Sequence, residues 1–250
     1  MFTSILSSII IWSAVLIIAL RVVTNSGIQF SNNKYISELT CYKGTSSNYK
    51  TTKKDILCVF LLAFSFRIIV FLFSVVIIYM FNDNINSFGD ILEQYMKWDA
   101  NNYVRIATGG YTYYTEGENF TTLAFFPLYP WLMRIVNIIF RDLRVSGLLT
   151  SFALYSGACC FLYKLFSIDY SKSVAVRAIV YMSVFPHALF FGTLMNESML
   201  LFTSAATLYY IRKHKWHLVG IWGAAAALSR MLGILLVMPA AVEWLEHYKI

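Results

Sequence analysis

Apolar residues follow one another in long uncharged runs rather than in short alternating patterns. Residues 3–20 carry no charge and end at Arg21, and a helix of that length crosses about 30 Å of hydrocarbon. A second run covers about 55–81. A signal peptide is the alternative for the first run, but no positive N-terminal region and no small-x-small cleavage pattern is present. The runs predict an all-α fold, a polytopic transmembrane helical bundle.

The loops that separate these runs alternate in charge. Residues 24–54 are polar and basic, and lysine and arginine mark the cytoplasmic side of membrane proteins. We therefore expect this loop to be cytoplasmic and the next one, about 82–122, to face outward. The outer loop has an acidic excess, as that orientation requires. It is also long for a simple connection, and we expect it to hold short interfacial helices.

Five further apolar segments follow the outer loop. The first is short and carries Arg134, which favours an interfacial or shallow helix over a full span. The next three are expected to cross in turn, with basic residues at the inner turns. The last has Arg230 and Gly233 near its centre, which favours two short helices that place Arg230 near the outer face. One continuous span is the alternative. The segments are about 124–140, 145–166, 175–192, 198–211 and 218–242.

Composition narrows the class of protein. Of the 250 residues, 58% are apolar and only 13% are charged, about half the charged share of a soluble domain. The mean hydropathy is +0.62. These values exclude a disordered chain, a fibrous repeat and a soluble nucleic-acid binder. The cysteines form no CxxC pair and the histidines show no convincing metal-ligand spacing, so we expect neither a disulfide framework nor a zinc site.

One charge lies in the middle of the second run. An arginine at that depth is costly unless it faces the protein interior or a polar cavity. We therefore expect Arg67 to make a buried structural contact.

The outer loop contains the segment Trp98-Asp99-Ala100-Asn101-Asn102-Tyr103. A tryptophan beside a carboxylate suits the membrane–water interface, where a lipid-linked substrate presents its head group. A carboxylate within hydrogen-bond reach of a hydroxyl can accept its proton. Asp99 is therefore a candidate general base, and Trp98 and Tyr103 are candidate substrate-binding residues. The alternative is that Asp99 only caps a helix that begins near Ala100.

Two further charged residues are candidates on the outer side. Glu197 lies at the predicted outer end of a span, where it can hydrogen-bond a sugar or only stabilise the start of the next helix. Arg230 lies in an apolar segment, and its planar guanidinium suits a phosphate. An internal ion pair is the alternative for Arg230. Because its own segment has no acid before Glu243, the sequence favours phosphate binding.

Four motifs in this order resemble the PIG-V-like mannosyltransferases, a family of the GT-C class of polytopic glycosyltransferases. They are WDANNYVRIATGGY, LAFFPLYPWLMR, FFGTLMNESMLLF and ALSRMLGILLVMPA. The resemblance covers about residues 55–245. The form of the WDANNY and FFPLYP motifs is most similar to that of bacterial members. It implies a GT-C-like bundle and a polyprenyl- or dolichyl-phosphate-linked sugar donor, with inversion at the anomeric carbon.

The resemblance also assigns roles. It implies that Asp99 is the catalytic acidic residue of the first large outer loop, that Glu197 is the second acidic position, and that Arg230 meets the lipid phosphate. A divalent cation beside the phosphate is left open, and no other cofactor is implied. Members usually continue for several further spans, so the resemblance implies either an N-terminal part of such an enzyme or a minimal member.

The sequence therefore predicts two parts and one activity. Residues 1–54 form an N-terminal transmembrane helix with a basic cytoplasmic loop, and residues 55–250 form the glycosyltransferase module. The expected activity is transfer of a hexose, mannose by resemblance, to an unidentified hydroxyl acceptor at the outer or luminal face. The expected location is the cell membrane if the chain is bacterial and the endoplasmic reticulum if it is eukaryotic. A non-catalytic lipid-carrier transporter or assembly subunit is the alternative.

Overall fold

The computed structural model of the chain describes residues 51–82, 85–111 and 122–248, together with residue 16. Its regular structure over these residues consists of helices, with no strand among them, which confirms the predicted all-α class. The predicted span at 3–20, most of the basic loop at 24–54 and the stretch 112–121 of the outer loop lie outside the described residues.

The helices are numbered here in chain order. Short 3₁₀ segments lie between some of them, at Thr122–Ala124, Pro186–Gly192 and Met231–Leu236. The helices are α1 Lys53–Phe81, α2 Phe88–Gln94, α3 Ala100–Gly109, α4 Leu128–Phe140, α5 Leu143–Asp169, α6 Lys172–Val184, α7 Glu197–Arg212, α8 Trp216–Ser229 and α9 Val237–Tyr248.

Polar side chains fix where the two longest helices begin. Thr52 and Asp55 form a capping box at the start of α1, in which each side chain bonds the backbone N–H of the other residue. At the start of α5 the Asp142 carboxylate accepts from the backbone N–H groups of Arg144 at 2.8 Å and Val145 at 3.4 Å. Each cap satisfies N–H groups that have no partner within the helix.

Among the described residues, α1 and α5 are long and apolar enough to cross a membrane. They correspond to the spans predicted at 55–81 and 145–166. A third span is present if α6 and the bent segment after it count as one. Helix α4 has 13 residues and rises about 20 Å, less than a hydrocarbon core. Its length therefore agrees with the prediction of a shallow helix.

Helix α5 lies at the centre of the bundle and packs against α1, α4, α6 and α7. Of its most apolar stretch, 67% is buried, against 17% for α1. Small residues such as Ser146, Gly147 and Ala158 let neighbours approach closely. Helix α1 instead exposes large apolar side chains, among them Ile69 and Phe73, as expected of a helix that faces lipid.

The segment predicted to cross at 175–192 is not one continuous helix. Helix α6 ends at Val184, and the 3₁₀ segment that follows Phe185 turns away by 84°. The physical reason lies in Pro186, which has no N–H to continue the helix and holds the preceding residue in an extended conformation. Phe185 accordingly has φ −61° and ψ 137°.

Arg67 of α1 satisfies the backbone that this break leaves open. Its Nη2 donates to the Ser183 carbonyl at 2.7 Å and its Nη1 donates to the Ala188 carbonyl. The guanidinium lies over the Tyr155 ring, 4.3 Å from its centre, and the residue is 1% exposed. The predicted buried structural role of Arg67 is confirmed.

Charged pairs gather at one end of the bundle, called here the basic end. Lys172 pairs with Asp55, and Arg212 pairs with Asp169 at 2.9 Å. These contacts place the start of α1 and α6 beside the end of α5 and α7. The His214 and His247 rings stack 4.0 Å apart, so α9 returns to the basic end.

The last apolar segment is broken in the middle, as predicted. Helix α8 ends at Ser229, Arg230 is extended with φ −159° and ψ 146°, and a 3₁₀ segment leads into α9. Gly233 allows this reversal, because a Cβ built on it would lie 2.2 Å from the carbonyl carbon and oxygen of Ala226. Only a residue without a side chain fits between the two arms.

Arg67→Leu tests whether the α6 break depends on the arginine. The substitution leaves two buried carbonyls without donors, and we expect it to lower the free energy of unfolding by about 2–4 kcal/mol. The measurement is denaturant unfolding of purified protein in detergent. Ile69→Ala, which trims a lipid-facing residue of the same helix, serves as the control. Equal losses in the two variants would show that Arg67 has no special structural role.

Gly233→Ala tests the reversal after α8. The added methyl group collides with the Ala226 backbone, so we expect a marked drop in the yield of monodisperse protein and a loss of at least about 2 kcal/mol of stability. Gly220→Ala is the matched control, since nothing lies within 4 Å of a Cβ at that position. A Gly233→Ala protein as stable as the control would mean that the two arms are not in close contact.

Candidate functional site

Helix α3 presents Asp99 at its start. Asp99 occupies the N-cap position, but its side chain makes no capping hydrogen bond. Within the described residues its carboxylate has no hydrogen-bond or ion-pair partner, and the residue is exposed. The helix begins at Ala100 as predicted, yet the carboxylate is not used to cap it. Asp99 is therefore free to contact a ligand.

Trp98 comes just before this helix in an unusual conformation. Its φ is +53°, a left-handed value that costs a bulky residue free energy and occurs often at functional sites. The indole is 67% exposed and lies against Phe190, with ring centroids 5.6 Å apart. The strained turn thus holds an exposed aromatic surface beside Asp99.

Tyr103 lies one turn further along α3 and is nearly fully buried. Burial raises the pKa of its hydroxyl well above the ordinary value, and the charges of Glu197 and Asp99 raise it further, while Arg230 and the Asn196 side chain act in the opposite direction. The phenol therefore stays neutral and can donate a hydrogen bond. Glu197, Asp99, Arg230 and Asn196 thus all lie close enough to the Tyr103 hydroxyl to influence its pKa.

Glu197 and Arg230 form an ion pair. Arg230 Nη1 lies 2.7 Å from Glu197 Oε1, and the side chains are 42% and 29% exposed. The lack of an acid in its own segment was an argument against an internal ion pair for Arg230, and the pair shows that this argument was wrong, while phosphate binding by Arg230 stays a prediction. The partner comes from the first residue of α7, a different helix. The pairing uses one of the five guanidinium N–H donors, and the structure gives no other bond to that side chain among the described residues.

The Glu197 carboxylate is only half satisfied. Its Oε2 is buried and has no hydrogen-bond partner in the described part of the chain. An unpaired buried carboxylate oxygen is costly, which makes it a position where a donor from a bound molecule would be stabilised. A sugar hydroxyl has the required chemistry.

Sequence reasoning missed Asn196 as a site residue. It is 1% exposed, and its Nδ2 donates to the carbonyl of Ser229, the last residue of α8. Asn196 was visible in the motif FFGTLMNESMLLF, directly before Glu197. An amide at the start of a helix in an apolar segment is a usable signal, because a buried amide must find partners.

Contacts with α4 and with Phe125, just before it, hold helix α3 in place. The Tyr103 ring meets Tyr129 and Phe125 edge to face, each with centroids 5.3 Å apart. At the other end of α3, Arg134 donates to the carbonyls of Ile106, at 3.0 Å, and Ala107. These contacts satisfy the open carbonyls of the helix C-terminus and fix the direction in which α3 points Asp99.

The described residues contain no cluster of three or more histidine, cysteine, aspartate or glutamate side chains that could hold a metal ion. The cation nearest to Glu197 is instead the Arg230 guanidinium. A divalent cation does not fit this donor set.

Comparisons with known proteins add one match. Residues 126–247, slightly less than half of the chain, match the family described as dolichyl-phosphate-mannose-protein mannosyltransferase. No curated protein and no solved structure matches. The matched residues include Glu197 and Arg230, and Asp99 lies before them. Over this range the chain is similar to a family of membrane glycosyltransferases that use dolichyl-phosphate mannose.

Proposed function

We propose that the chain is a membrane glycosyltransferase of PIG-V-like specificity. It transfers a hexose, mannose by similarity, from a polyprenyl- or dolichyl-phosphate-linked donor to a hydroxyl acceptor at the non-cytoplasmic face. The observation that carries the proposal is that the free Asp99 carboxylate and the Glu197–Arg230 ion pair both lie close enough to the Tyr103 hydroxyl to influence its pKa. A carboxylate that can accept a proton and a guanidinium that can hold a phosphate would then act on one substrate.

The proposed reaction is a single displacement. The acceptor oxygen attacks the anomeric carbon, and its proton passes to the Asp99 carboxylate. The bond from the anomeric carbon to the phosphate oxygen breaks, and the electron pair leaves with the lipid phosphate. Attack on the face opposite the leaving group inverts the configuration at the sugar.

Arg230 has the properties needed to stabilise the leaving group. Its side chain is 42% exposed and pairs through Nη1, so its other N–H groups can donate to phosphate oxygens. Charge that develops in the transition state is best stabilised by donors already held in place. The bond to Glu197 provides that orientation before the donor arrives.

Glu197 and Tyr103 suit roles in binding. The free Oε2 of Glu197 can accept a hydrogen bond from a sugar hydroxyl, and the neutral Tyr103 phenol can donate one. Trp98 presents an exposed ring to the apolar face of a sugar or to an isoprene unit. These roles agree in kind with the donor named by the family match.

The bundle also offers a place for an isoprenoid chain. An apolar cavity of about 640 Å³ lies between α1, α4 and α5. Its lining includes Phe64 of α1, Val136 of α4, Leu149 of α5 and Phe202 of α7, and Phe202 lies on the same helix as Glu197. A lipid donor would find both a polar site and an apolar groove on one protein.

Asp99→Asn tests the proposed base. The amide cannot accept the proton, so we expect transfer to fall by about 10²–10⁴-fold with unchanged membrane insertion. Membranes that contain the chain are supplied with labelled polyprenyl-phosphate mannose, and both labelled product and released polyprenyl phosphate are measured.

Glu93→Gln is the matched control, because it removes another exposed carboxylate of the same loop, one that pairs with Arg144. Full activity of Asp99→Asn would remove Asp99 from the mechanism. Movement of intact donor without release of polyprenyl phosphate, in the unaltered chain, would instead indicate a transporter.

Exchanging the charges of the ion pair separates structure from chemistry. Arg230→Glu alone puts two carboxylates side by side and should lower stability, and adding Glu197→Arg restores the attraction. We expect the double variant to regain most of the lost thermal stability. Its transfer activity should remain reduced at least about 100-fold, because the guanidinium no longer lies where the phosphate binds. Recovery of both properties would show that Arg230 has only a structural role.

A further inference from the structure

A hydrogen bond and an ion pair join residues 196 and 197 to residues 229 and 230. The Asn196 amide donates to the Ser229 carbonyl, and Glu197 pairs with Arg230 at 2.7 Å. We call this pair of contacts the 196–230 clamp. It joins the start of α7 to the end of α8. Two neighbouring residues at the first position thus contact two neighbouring residues at the second.

The Asn196 bond falls at a point where the backbone needs a partner. At the end of a helix the last carbonyls have no N–H of their own helix to accept from, and in an apolar surrounding each unsatisfied group is costly. The Ser229 hydroxyl does not serve this purpose, since it donates to the Ala226 carbonyl at 2.7 Å. Asn196 thus supplies the hydrogen-bond donor that a water molecule would supply at the end of a helix in a soluble protein.

The Asn196 side chain also lies near Tyr103 of α3. Asn196 Oδ1 is buried and has no hydrogen-bond partner among the described residues. The Asn196 side chain lies close enough to the Tyr103 hydroxyl to lower its pKa. The Asn196 amide therefore bonds the residue before Arg230 and lies near the helix that follows Asp99. Its own burial is 99% complete, which fixes its position.

We propose that Asn196 is a positioning residue that sets the geometry of the Glu197–Arg230 pair relative to Asp99. By holding the Ser229 carbonyl it fixes the direction in which the extended Arg230 leaves α8. The role in sugar transfer rests on the proposed function, whereas the role in forming the ion pair does not.

The first test measures the ion pair without any assay of activity. Glu197→Gln, Arg230→Gln and the double variant form a cycle whose non-additivity in thermal midpoint reports the coupling of the pair. We expect a non-additivity of roughly 2–4 °C in the unaltered background and none in the Asn196→Leu background. Thr203→Val is the control background, because it removes a buried hydroxyl that bonds within α7 and should leave the coupling intact.

If Asn196→Leu does not yield folded protein, Asn196→Ala provides the same comparison with less bulk. Coupling that persists in either Asn196 background, or that is absent from the unaltered one, overturns the proposal. Loss of coupling in the Thr203→Val background as well would overturn it too, since the effect would then be general.

The second test uses transfer. If Asn196 acts through Arg230, then Asn196→Leu should raise KM for the lipid-linked donor about as much as Arg230→Gln does, and the double variant should be no worse than Arg230→Gln alone. Effects that multiply would contradict this. If the unaltered chain transfers nothing, the proposed function fails, and the thermal cycle still decides the role of Asn196.

Discussion

The structure depends on a single constraint, which is that backbone groups freed by a broken helix must find partners without water. In an apolar environment every open carbonyl is costly. The described chain breaks two apolar segments, after Val184 and at Arg230. In each case a buried polar side chain from a distant part of the chain donates to an open carbonyl, Arg67 of α1 at the first break and Asn196, just before α7, at the second.

The two breaks shape the candidate site. The first shortens α6, so that the chain returns through a 3₁₀ segment whose Phe190 meets Trp98. The second turns Arg230 out of an apolar helix towards Glu197. In a continuous helix the Arg230 backbone would bond within the helix, and its side chain would face lipid. The polar residues of the site thus owe their position to interruptions that other polar residues stabilise.

Much of this arrangement could be read from the sequence. Long apolar runs predicted the helices, a short segment with Arg134 predicted a shallow α4, and Arg230 with Gly233 predicted the break after α8. The WDANNY motif led to Asp99, and its exposed carboxylate is compatible with the predicted role. What the sequence could not supply were contacts between distant segments. The Glu197–Arg230 pair spans two helices, and the open carbonyls at the 84° bend after α6 accept from an arginine far away in α1.

The central claim is that position 99 faces the non-cytoplasmic solution beside a site for a lipid-linked sugar phosphate. The most direct test places a cysteine at 99, and in a control at 93, in a background in which the four native cysteines are replaced by serine. A membrane-impermeant maleimide is then added from either side. We predict labelling of both positions from the non-cytoplasmic side, with polyprenyl-phosphate mannose slowing it at 99 alone. Labelling of position 99 only from the cytoplasmic side, or equal rates with and without the donor, would contradict the account.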